Sequence, residues 1–173
     1  MHDAVHRFIQ RVRDANPAAF QVESVLEVGS CDINGSPRQY FKGATDYVGV
    51  DWKEGPGVDI VSIAHKFKGR PDGYFQFVIS TEMLEHDPHA QASIQRMMAL
   101  LAPKGSLLIT CAGIGRHSHD IETSPKGGYY ANVSAAFLSA TILSTGRFKS
   151  VLIEDDAVAC DLRFFGLRKT RVS

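Results

Sequence analysis

Two carboxylates stand near the ends of successive apolar runs of the sequence. Glu27 lies in Val25–Gly29, and Asp51 comes directly after Val50, 22 residues beyond Gly29. A carboxylate at that separation, after the second strand of a Rossmann-like unit, can accept hydrogen bonds from both hydroxyls of a ribose. The turn after Glu27 has neither Gly-x-Gly-x-x-Gly nor Gly-Lys-Ser/Thr, so it lacks the usual cradle for phosphates. These features together favour a nucleoside ligand without phosphate groups.

S-adenosylmethionine is a nucleoside of that kind. We expect Asp51 to bind its ribose, Glu27 to face its cationic ammonium group directly or through water, and Trp52 to pack against its adenine. Its carboxylate is expected at the amides of a helix N-terminus, where the helix dipole favours an anion. Each residue also has a structural alternative, since an acid can cap a turn and a tryptophan can be half-buried surface.

Three histidines follow two of the later apolar runs. His86 comes after the fourth run, and His117 and His119 come after the fifth. A histidine titrates near neutral pH and can remove a proton from an oxygen or nitrogen atom. All three are therefore candidate catalytic bases.

The sequence His117-Ser-His119-Asp120 also raises the question of a metal site, joined by His86 or His89. Such a site needs several ligands in a defined geometry, and His-x-His-Asp on a loop is not specific for it. We therefore predict no metal, and expect this loop to line a pocket for the second reactant.

Composition and charge restrict the class of protein. The chain has 173 residues, 44% of them hydrophobic, and 19 Lys and Arg balance 19 Asp and Glu. This favours a single domain, residues 1–173, and argues against broad electrostatic binding of nucleic acid or anionic membrane. Three scattered cysteines predict neither a disulfide scaffold nor a thiolate zinc site, and no signal peptide or apolar run of membrane-spanning length is visible. We expect a cytoplasmic protein.

Strand-like runs alternate with helical segments along the chain. Residues 1–17 contain an amphipathic helix, Ala90–Leu101 and Asn132–Thr145 are further helices, and residues 113–131 form a long loop. Alternation of this kind is typical of a parallel sheet covered on both faces. The last two strands are close enough in sequence to form an antiparallel hairpin at one edge. The predicted strands are Ser24–Gly29, Tyr47–Asp51, Val58–Ser62, Phe75–Ser80, Ser106–Thr110, Phe148–Ile153 and Arg163–Leu167.

Four of these segments resemble the class I S-adenosylmethionine-dependent methyltransferases, especially the small bacterial and phage-associated members of the type 11 kind. The resemblance covers most of the chain and implies an α/β, Rossmann-like, doubly wound, seven-stranded and mostly parallel sheet with an antiparallel edge strand and helices on both faces. The motifs, in the expected order, are Glu27-Val-Gly29-Ser30, Tyr47-Val-Gly-Val-Asp51-Trp52, Phe75–His86 with its Glu82-Met-Leu-Glu85-His86, and Leu101-Ala-Pro103-Lys104-Gly105 with the strand after it.

The resemblance also assigns roles to individual residues. It implies a cofactor site made of Glu27, Gly29, Ser30, Asp51, Trp52, Ala64, Ser80 and Glu82. Asp120 and Tyr130 are assigned to the substrate, Tyr130 because relatives often carry an aromatic residue there. The sequence departs from the family at Cys31 and Ile33, where relatives have glycines, and at Ile63, where many have an aspartate for the adenine. The amide of Ala64 is expected to replace that aspartate.

The function predicted from sequence is transfer of a methyl group from S-adenosylmethionine to an oxygen or nitrogen of a small-molecule or glycan acceptor. No nucleic-acid or membrane partner is expected, and the oligomeric state stays open. Two alternatives remain. One is a noncatalytic partner protein of the same fold, which the altered turn favours, and the other is a Rossmann-like nucleotide-dependent oxidoreductase, which the missing glycine pattern disfavours.

Overall fold

The computed structural model describes residues 2–119 and 128–170. Within these ranges the chain forms α-helices and β-strands joined by turns and short segments of 3₁₀ helix. The α-helices are α1 (Asp3–Ala15), α2 (Ala90–Leu100) and α3 (Ala135–Leu143). The strands are β1 (Ser24–Val28), β2 (Asp46–Asp51), β3 (Ile60–Val61), β4 (Phe75–Thr81), β5 (Leu101–Ala112), β6 (Phe148–Asp156) and β7 (Asp161–Arg168). The 3₁₀ segments are Pro17–Phe20, Pro37–Tyr40, Ala64–Lys66 and Leu84–His86.

The strands form one sheet in the order β3-β2-β1-β4-β5-β7-β6. The pairs from β3 to β5 are parallel, whereas β7 lies antiparallel between β5 and β6. The predicted fold class is therefore confirmed, including the hairpin of the last two strands at one edge. The strand order reverses between β1 and β4, because the chain moves outward from β1 to β3 and then returns to the other side of β1.

Helices cover both faces of this sheet. Along β5, Leu107 and Ile109 pack with residues of α2 and α3, whereas Leu108 packs with residues of α1. Successive strand residues point to opposite faces, so a strand buried on both faces must be apolar almost throughout. That requirement explains the continuous apolar runs in the sequence. Each helix in the described part of the chain is too short or too polar to traverse a lipid bilayer.

The N-terminal helix is amphipathic, as its sequence predicts. It ends at Ala15 because Asn16 leaves helical geometry and Pro17, which has no amide hydrogen, opens a 3₁₀ segment. Burial of each large apolar side chain contributes about 1.5–3 kcal/mol to folding. The buried face consists of Val5, Phe8, Ile9 and Val12.

The structure differs from the sequence prediction at the start of β5. The strand begins at Leu101 instead of Ser106, directly after α2, and it continues through Pro103-Lys104-Gly105. Leu101 pairs with Phe75 and Ser106 pairs with Phe77, so the extra residues of β5 bulge out of the sheet. Lys104 adopts a φ of 65° within this bulge. A bulge accommodates a proline that a regular central strand would exclude.

Two other elements are shorter than predicted. Strand β3 has two residues, Ile60–Val61, and turns connect β2 to it in place of a helix. Helix α3 begins at Ala135, and its N-cap is Ser134, whose hydroxyl accepts a hydrogen bond from the amide of Phe137 at 3.1 Å. The predicted start at Asn132 is wrong, because the serine provides the N-terminal capping interaction.

We predict that replacing Ile9 with alanine lowers the free energy of unfolding by about 2–5 kcal/mol, because the site is fully buried and leaves a cavity. Urea denaturation measures the change. Arg7→Ala, on the exposed side of the same helix, is the control and should stay within about 0.5 kcal/mol of the wild type. Equal effects of the two substitutions would contradict the packing of α1 on the sheet.

Candidate functional site

A cavity of about 280 Å³ opens beyond the carboxyl ends of β1, β2 and β4. The strand order reverses at this point, which is where open α/β sheets bind their ligands. Its lining comes from the last residues of these strands, the turns that follow them, and the N-terminus of the chain. The architecture therefore brings segments distant in sequence to one place.

The turn after β1 is held against the end of β2 by backbone hydrogen bonds. The amides of Gly29 and Ser30 both donate to the carbonyl oxygen of Val50, at 2.8 and 3.2 Å. The amide of Cys31 donates to Asp51 Oδ2 at 3.1 Å. These three amides are therefore engaged within the chain, in contrast to a dinucleotide-binding turn, whose backbone approaches a pyrophosphate.

Gly29 meets two constraints that no other residue type satisfies. Its φ is +81°, in the left-handed region that favours glycine. A Cβ atom at this position would also lie 2.7 Å from Cβ and Cγ of Met83, in the turn after β4. The glycine thus allows the two turns that border the cavity to approach each other closely.

No α-helix lies between β1 and β2, so the turn after β1 does not offer a helix N-terminus to a ligand carboxylate. The turn leads into the 3₁₀ segment Pro37–Tyr40, and the Ser36 hydroxyl already accepts a hydrogen bond from the amide of Arg38 at 3.1 Å. An α-helix cannot begin earlier, because Gly35 has a φ of +102° and the Pro37 ring fixes the backbone after it.

Asp51 lies at the end of β2, and its carboxylate can accept more hydrogen bonds than it receives from the described residues. It lines the cavity, and its carboxylate accepts hydrogen bonds from the amides of Cys31 and Lys53, at 3.1 and 3.3 Å. A carboxylate can accept about four hydrogen bonds, so these two leave room for two hydroxyl donors. Trp52 and Ala64 line the cavity near this carboxylate.

Glu27 is nearly buried at the end of β1, with 3% of its surface exposed. Its carboxylate accepts hydrogen bonds from Tyr47 Oη at 2.7 Å and from Ser36 Oγ at 3.2 Å. Burial raises the pKa of Glu27 to about 7, and the two hydrogen bonds offset only part of that effect. A cationic group in the cavity would favour the ionised carboxylate.

Glu82, directly after β4, is held as an anion. Burial alone would raise its pKa, but His2, Thr110 and Arg116 outweigh that effect and lower it. Its Oε1 accepts a hydrogen bond from Thr110 Oγ1 at 2.8 Å, and its Oε2 lies 3.4 Å from His2 Nε2. The φ of Glu82 is +53°, an uncommon conformation for a residue with a side chain. The surrounding contacts therefore fix this carboxylate at the edge of the cavity.

Glu85 and two histidines meet at the same end of the cavity. The carboxylate of Glu85 is completely buried, and burial together with the nearby Glu82 raises its pKa to about 8. The rings of His86 and His119 lie 5.6 Å apart, and the Tyr130 ring contacts both, at 5.3 and 5.1 Å between centroids. Nδ1 of His119 lies 3.0 Å from the carbonyl oxygen of His117.

The structure brings most of the predicted site residues to one cavity. Three of them lie on loops or turns far from the first two strands in sequence, and their convergence depends on the strand order. The predicted residues that line the cavity are Glu27, Gly29, Asp51, Trp52, Ala64, Glu82, His86 and His119.

The other predicted residues are not among those that line the cavity. Ser30 and Ser80 have almost no exposed surface, and the side chains of Ser80 and Thr81 point to opposite faces because they are successive strand residues. His117 is exposed, and its carbonyl contacts His119. Tyr130 touches the two histidines from outside the cavity lining. Asp120 lies outside the described residues.

The sequence analysis missed three residues near this site. Arg116 lines the cavity and forms an ion pair with the buried Asp161. His2 reaches the cavity from the N-terminus, which no motif indicated. Glu85 was quoted as part of a motif without a role. Glu85 matters for the site because it is completely buried, and that burial depends on the packing of segments that follow it in the sequence.

Comparison with known proteins identifies the fold. No family model matches the sequence, and no curated protein sequence matches it. A SAM-dependent methyltransferase from Archaeoglobus fulgidus superimposes with a TM-score of 0.64 at 16% identity, covering 94% of each chain. The chain has the fold of these methyltransferases. The narrower type 11 membership stays a prediction.

Two further structures show the same likeness. N-methyltransferase NodS from Bradyrhizobium japonicum, in complex with S-adenosyl-L-homocysteine, gives a TM-score of 0.59 at 14% identity, covering 93% of this chain and 87% of its own. Phosphoethanolamine N-methyltransferase 2 from Haemonchus contortus, in complex with S-adenosyl-L-methionine, gives 0.64 at 15% identity. The match covers 96% of this chain and 53% of that enzyme. At these identities the likeness concerns the fold.

We predict that Gly29→Ala destabilises the protein by about 1–3 kcal/mol, because alanine is strained at positive φ and its methyl group would overlap Met83. Gly43→Ala is the matched control, since a Cβ there meets no atom within 4 Å. Urea denaturation of both variants measures the difference. If Gly29→Ala were as stable as Gly43→Ala, the close approach of the two turns would be refuted.

Proposed function

We propose that this protein transfers a methyl group from S-adenosylmethionine to an oxygen or nitrogen atom of a small-molecule or glycan acceptor. The observation that carries the proposal is the position of Asp51 at the end of β2, where it lines the cavity and accepts two hydrogen bonds among the described residues, of the about four that a carboxylate can accept. The same likeness in fold to methyltransferases bound to this cofactor or its product supports it.

Different residues of the chain would bind the nucleoside and the ammonium group of the cofactor. At one end Asp51 would hold the ribose, with Trp52 and Ala64 beside the adenine. Toward the other, the carboxylate of Glu27 would face the ammonium group, and its partial protonation near neutral pH leaves it able to ionise when a cation binds. When bound, S-adenosylmethionine supplies an electrophilic methyl group on a sulfonium ion.

The chain's contribution to the reaction is then orientation and removal of a proton. Turns that approach within van der Waals distance would exclude water and align the acceptor, and alignment alone supplies several kcal/mol in such reactions. Of the three predicted histidine bases, His86 and His119 line the cavity, so these two are in position to act on the acceptor's hydroxyl or amine.

The charges around the cavity favour a neutral or cationic acceptor. The lining contains four acidic residues and two strongly basic ones, Lys53 and Arg116, of which Arg116 is paired with Asp161. The acidic residues are Glu27, Asp51, Glu82 and Asp87. A polyanion would meet net repulsion there. This supports a small molecule or glycan over nucleic acid.

An oxidoreductase that binds a dinucleotide is a weaker candidate. The amides of Gly29 and Ser30 are both engaged by Val50, so the first two positions of the turn offer no donor to a pyrophosphate. A noncatalytic protein of the same fold is favoured by one observation only. Cys31 and Ile33 line the cavity where the family has glycines, which leaves less space beside the cofactor.

We predict that Asp51→Asn weakens binding of S-adenosylmethionine and S-adenosylhomocysteine by about 1–3 kcal/mol, or about 5- to 150-fold, because hydrogen bonds to a charged acceptor are lost. Asparagine keeps an oxygen for the amide of Cys31, so the turn is preserved. Isothermal titration calorimetry measures both affinities. Asp72→Ala, an exposed carboxylate far from the cavity lining, is the control and should bind as the wild type does.

Three outcomes of that titration would count against parts of the proposal. Equal affinity of Asp51→Asn and wild type removes Asp51 from the cofactor site. Absence of binding by the wild type removes the methyltransferase function. Binding of NAD without binding of S-adenosylmethionine replaces it with the oxidoreductase.

We also predict that cofactor affinity depends on pH through Glu27. A proton on the carboxylate competes with the ligand's ammonium group, so affinity should fall as the pH drops below about 7, the pKa raised by burial. The affinity should also fall above about pH 8, where an α-amino group loses its proton. Titrations that extend below and above these two pH values, on wild type and on Glu27→Gln, measure the effect. Glu27→Gln should lose the acidic limb alone, and an unchanged profile would remove Glu27 from the ammonium site.

A further inference from the structure

Three potential metal ligands lie close together at the end of the cavity where the acceptor would bind. They are Glu85, His86 and His119. Each offers one nitrogen or carboxylate oxygen, and these atoms all lie within 4.8 Å of one another. An ion about 2.1 Å from each ligand needs ligand atoms no more than about 4.2 Å apart, so a movement of less than about 1 Å completes the arrangement. Two residues come from the 3₁₀ segment Leu84–His86 and the third from the loop after β5.

The buried carboxylate gives this cluster a reason to bind a cation. Glu85 has 0% of its surface exposed, and among the described residues no side chain donates a hydrogen bond to its carboxylate. The backbone amides of Glu85 and Ala112 and the charge of Arg116 offset only part of the effect of burial, because its pKa stays raised. An isolated charge in that position costs several kcal/mol unless a counter-charge accompanies it. The anionic Glu82 nearby increases the need for positive charge.

The surroundings of the cluster orient its ligands. Nδ1 of His119 lies 3.0 Å from the carbonyl oxygen of His117, so when Nδ1 donates to that oxygen, Nε2 presents its lone pair. Metal-binding histidines are commonly oriented by such a second contact. The Tyr130 ring packs against both imidazoles, and the amide of Ala131 donates to the carbonyl oxygen of Glu85 at 2.8 Å.

A second cluster of potential ligands provides a contrast. His2, Glu82 and Asp161 also lie close together, but their carboxylates already have partners. Glu82 accepts a hydrogen bond from Thr110, and Asp161 forms ion pairs with Arg116 and Arg163. Each carboxylate of this second group therefore has a hydroxyl or cationic side chain as a partner, whereas no side chain in the described residues donates a hydrogen bond to Glu85.

We propose that Glu85, His86 and His119 bind a divalent transition-metal cation. Two imidazole nitrogens and one carboxylate oxygen suit Zn²⁺, Mn²⁺, Fe²⁺ and Co²⁺ better than Ca²⁺ or Mg²⁺, which prefer oxygen ligands. Three protein ligands leave at least one coordination position for water or for an oxygen of the acceptor. The sequence predicted no metal, because it did not reveal that His119 lies beside Glu85 and His86.

The role of this cation rests on the proposed function. An acceptor hydroxyl bound to it would have a lowered pKa and would release its proton to solvent. The oxygen would then form a bond with the methyl carbon as the carbon–sulfur bond breaks, leaving the electron pair on sulfur and producing S-adenosylhomocysteine. In that case His86 and His119 act on the acceptor's proton through the cation instead of accepting it themselves, and the substrate class is an alcohol or phenol.

Titration with Co²⁺ tests the site, using tag-free protein and following both heat and visible d–d absorption. The wild type should bind one Co²⁺ per chain, with spectral bands that indicate nitrogen ligation, and Zn²⁺ should displace it. Glu85→Gln and His119→Ala should each weaken Co²⁺ binding by about a hundredfold or more. A loss of that size exceeds the loss usually caused by removing a residue that contacts a metal ligand but not the metal. Glu85→Gln keeps the shape of the side chain and removes a buried charge, so its fold is expected to persist, and circular dichroism verifies this.

His89→Ala is the matched control. Its ring contacts His65 at 4.7 Å and belongs to neither group of potential ligands in the described chain. This variant should bind Co²⁺ as the wild type does. Loss of binding in His89→Ala, with retention in both Glu85→Gln and His119→Ala, would overturn the assignment.

Calorimetry with S-adenosylhomocysteine on the same samples separates the two proposals. Binding of the nucleoside without saturable Co²⁺ binding overturns the cation site and leaves the proposed function. Binding of Co²⁺ without the nucleoside supports the cation site and overturns the proposed function.

Discussion

The site depends on the hydrogen bonds that attach the turn after β1 to the end of β2. Two successive amides, of Gly29 and Ser30, donate to the carbonyl oxygen of Val50, and the next amide reaches Asp51. These bonds determine the direction of the Asp51 carboxylate and fix the distance between the two strand ends. The positive φ of Gly29 then lets the turn after β4 pack against the same point. The remaining residues of the cavity are arranged around this junction.

Differences in environment give three nearby glutamates different protonation. Glu27 and Glu85 are buried, and burial raises the pKa of both because their hydrogen bonds and the nearby positive charges offset only part of its effect. Glu82 is also largely buried, but contacts with His2, Thr110 and Arg116 lower its pKa. A fixed anion, Glu82, and a carboxyl group whose charge responds to what binds beside it, Glu27, therefore line the same cavity, and Glu85 is buried next to His86 in its lining. This combination is suited to a cationic ligand.

Aromatic side chains pack together with α1 on one face of the sheet. The connections after β1 and β2 contain no α-helix in the described residues. Phe41 fills the space, with its ring 5.2 Å from Phe20 and 4.7 Å from Phe77, the second in edge-to-face geometry. Large rings bury enough apolar area to close a core without a further helix. The chain can therefore be short and still cover the sheet.

The sequence by itself determined the fold class, most strands, the amphipathic N-terminal helix and the ends of β1 and β2, where Glu27 and Asp51 stand. Apolar runs and helical periodicity are local features of a sequence, and they indicate which residues are buried. It could not determine that Ser80 is buried inside the sheet while Thr81 faces the cavity, that Pro103 lies in a bulge of β5, or that no helix follows β1. Only the tertiary structure placed His119 close to His86 and to the buried Glu85, because that proximity depends on strand order and on how the loop after β5 packs. Spacing along a chain carries no information about such contacts.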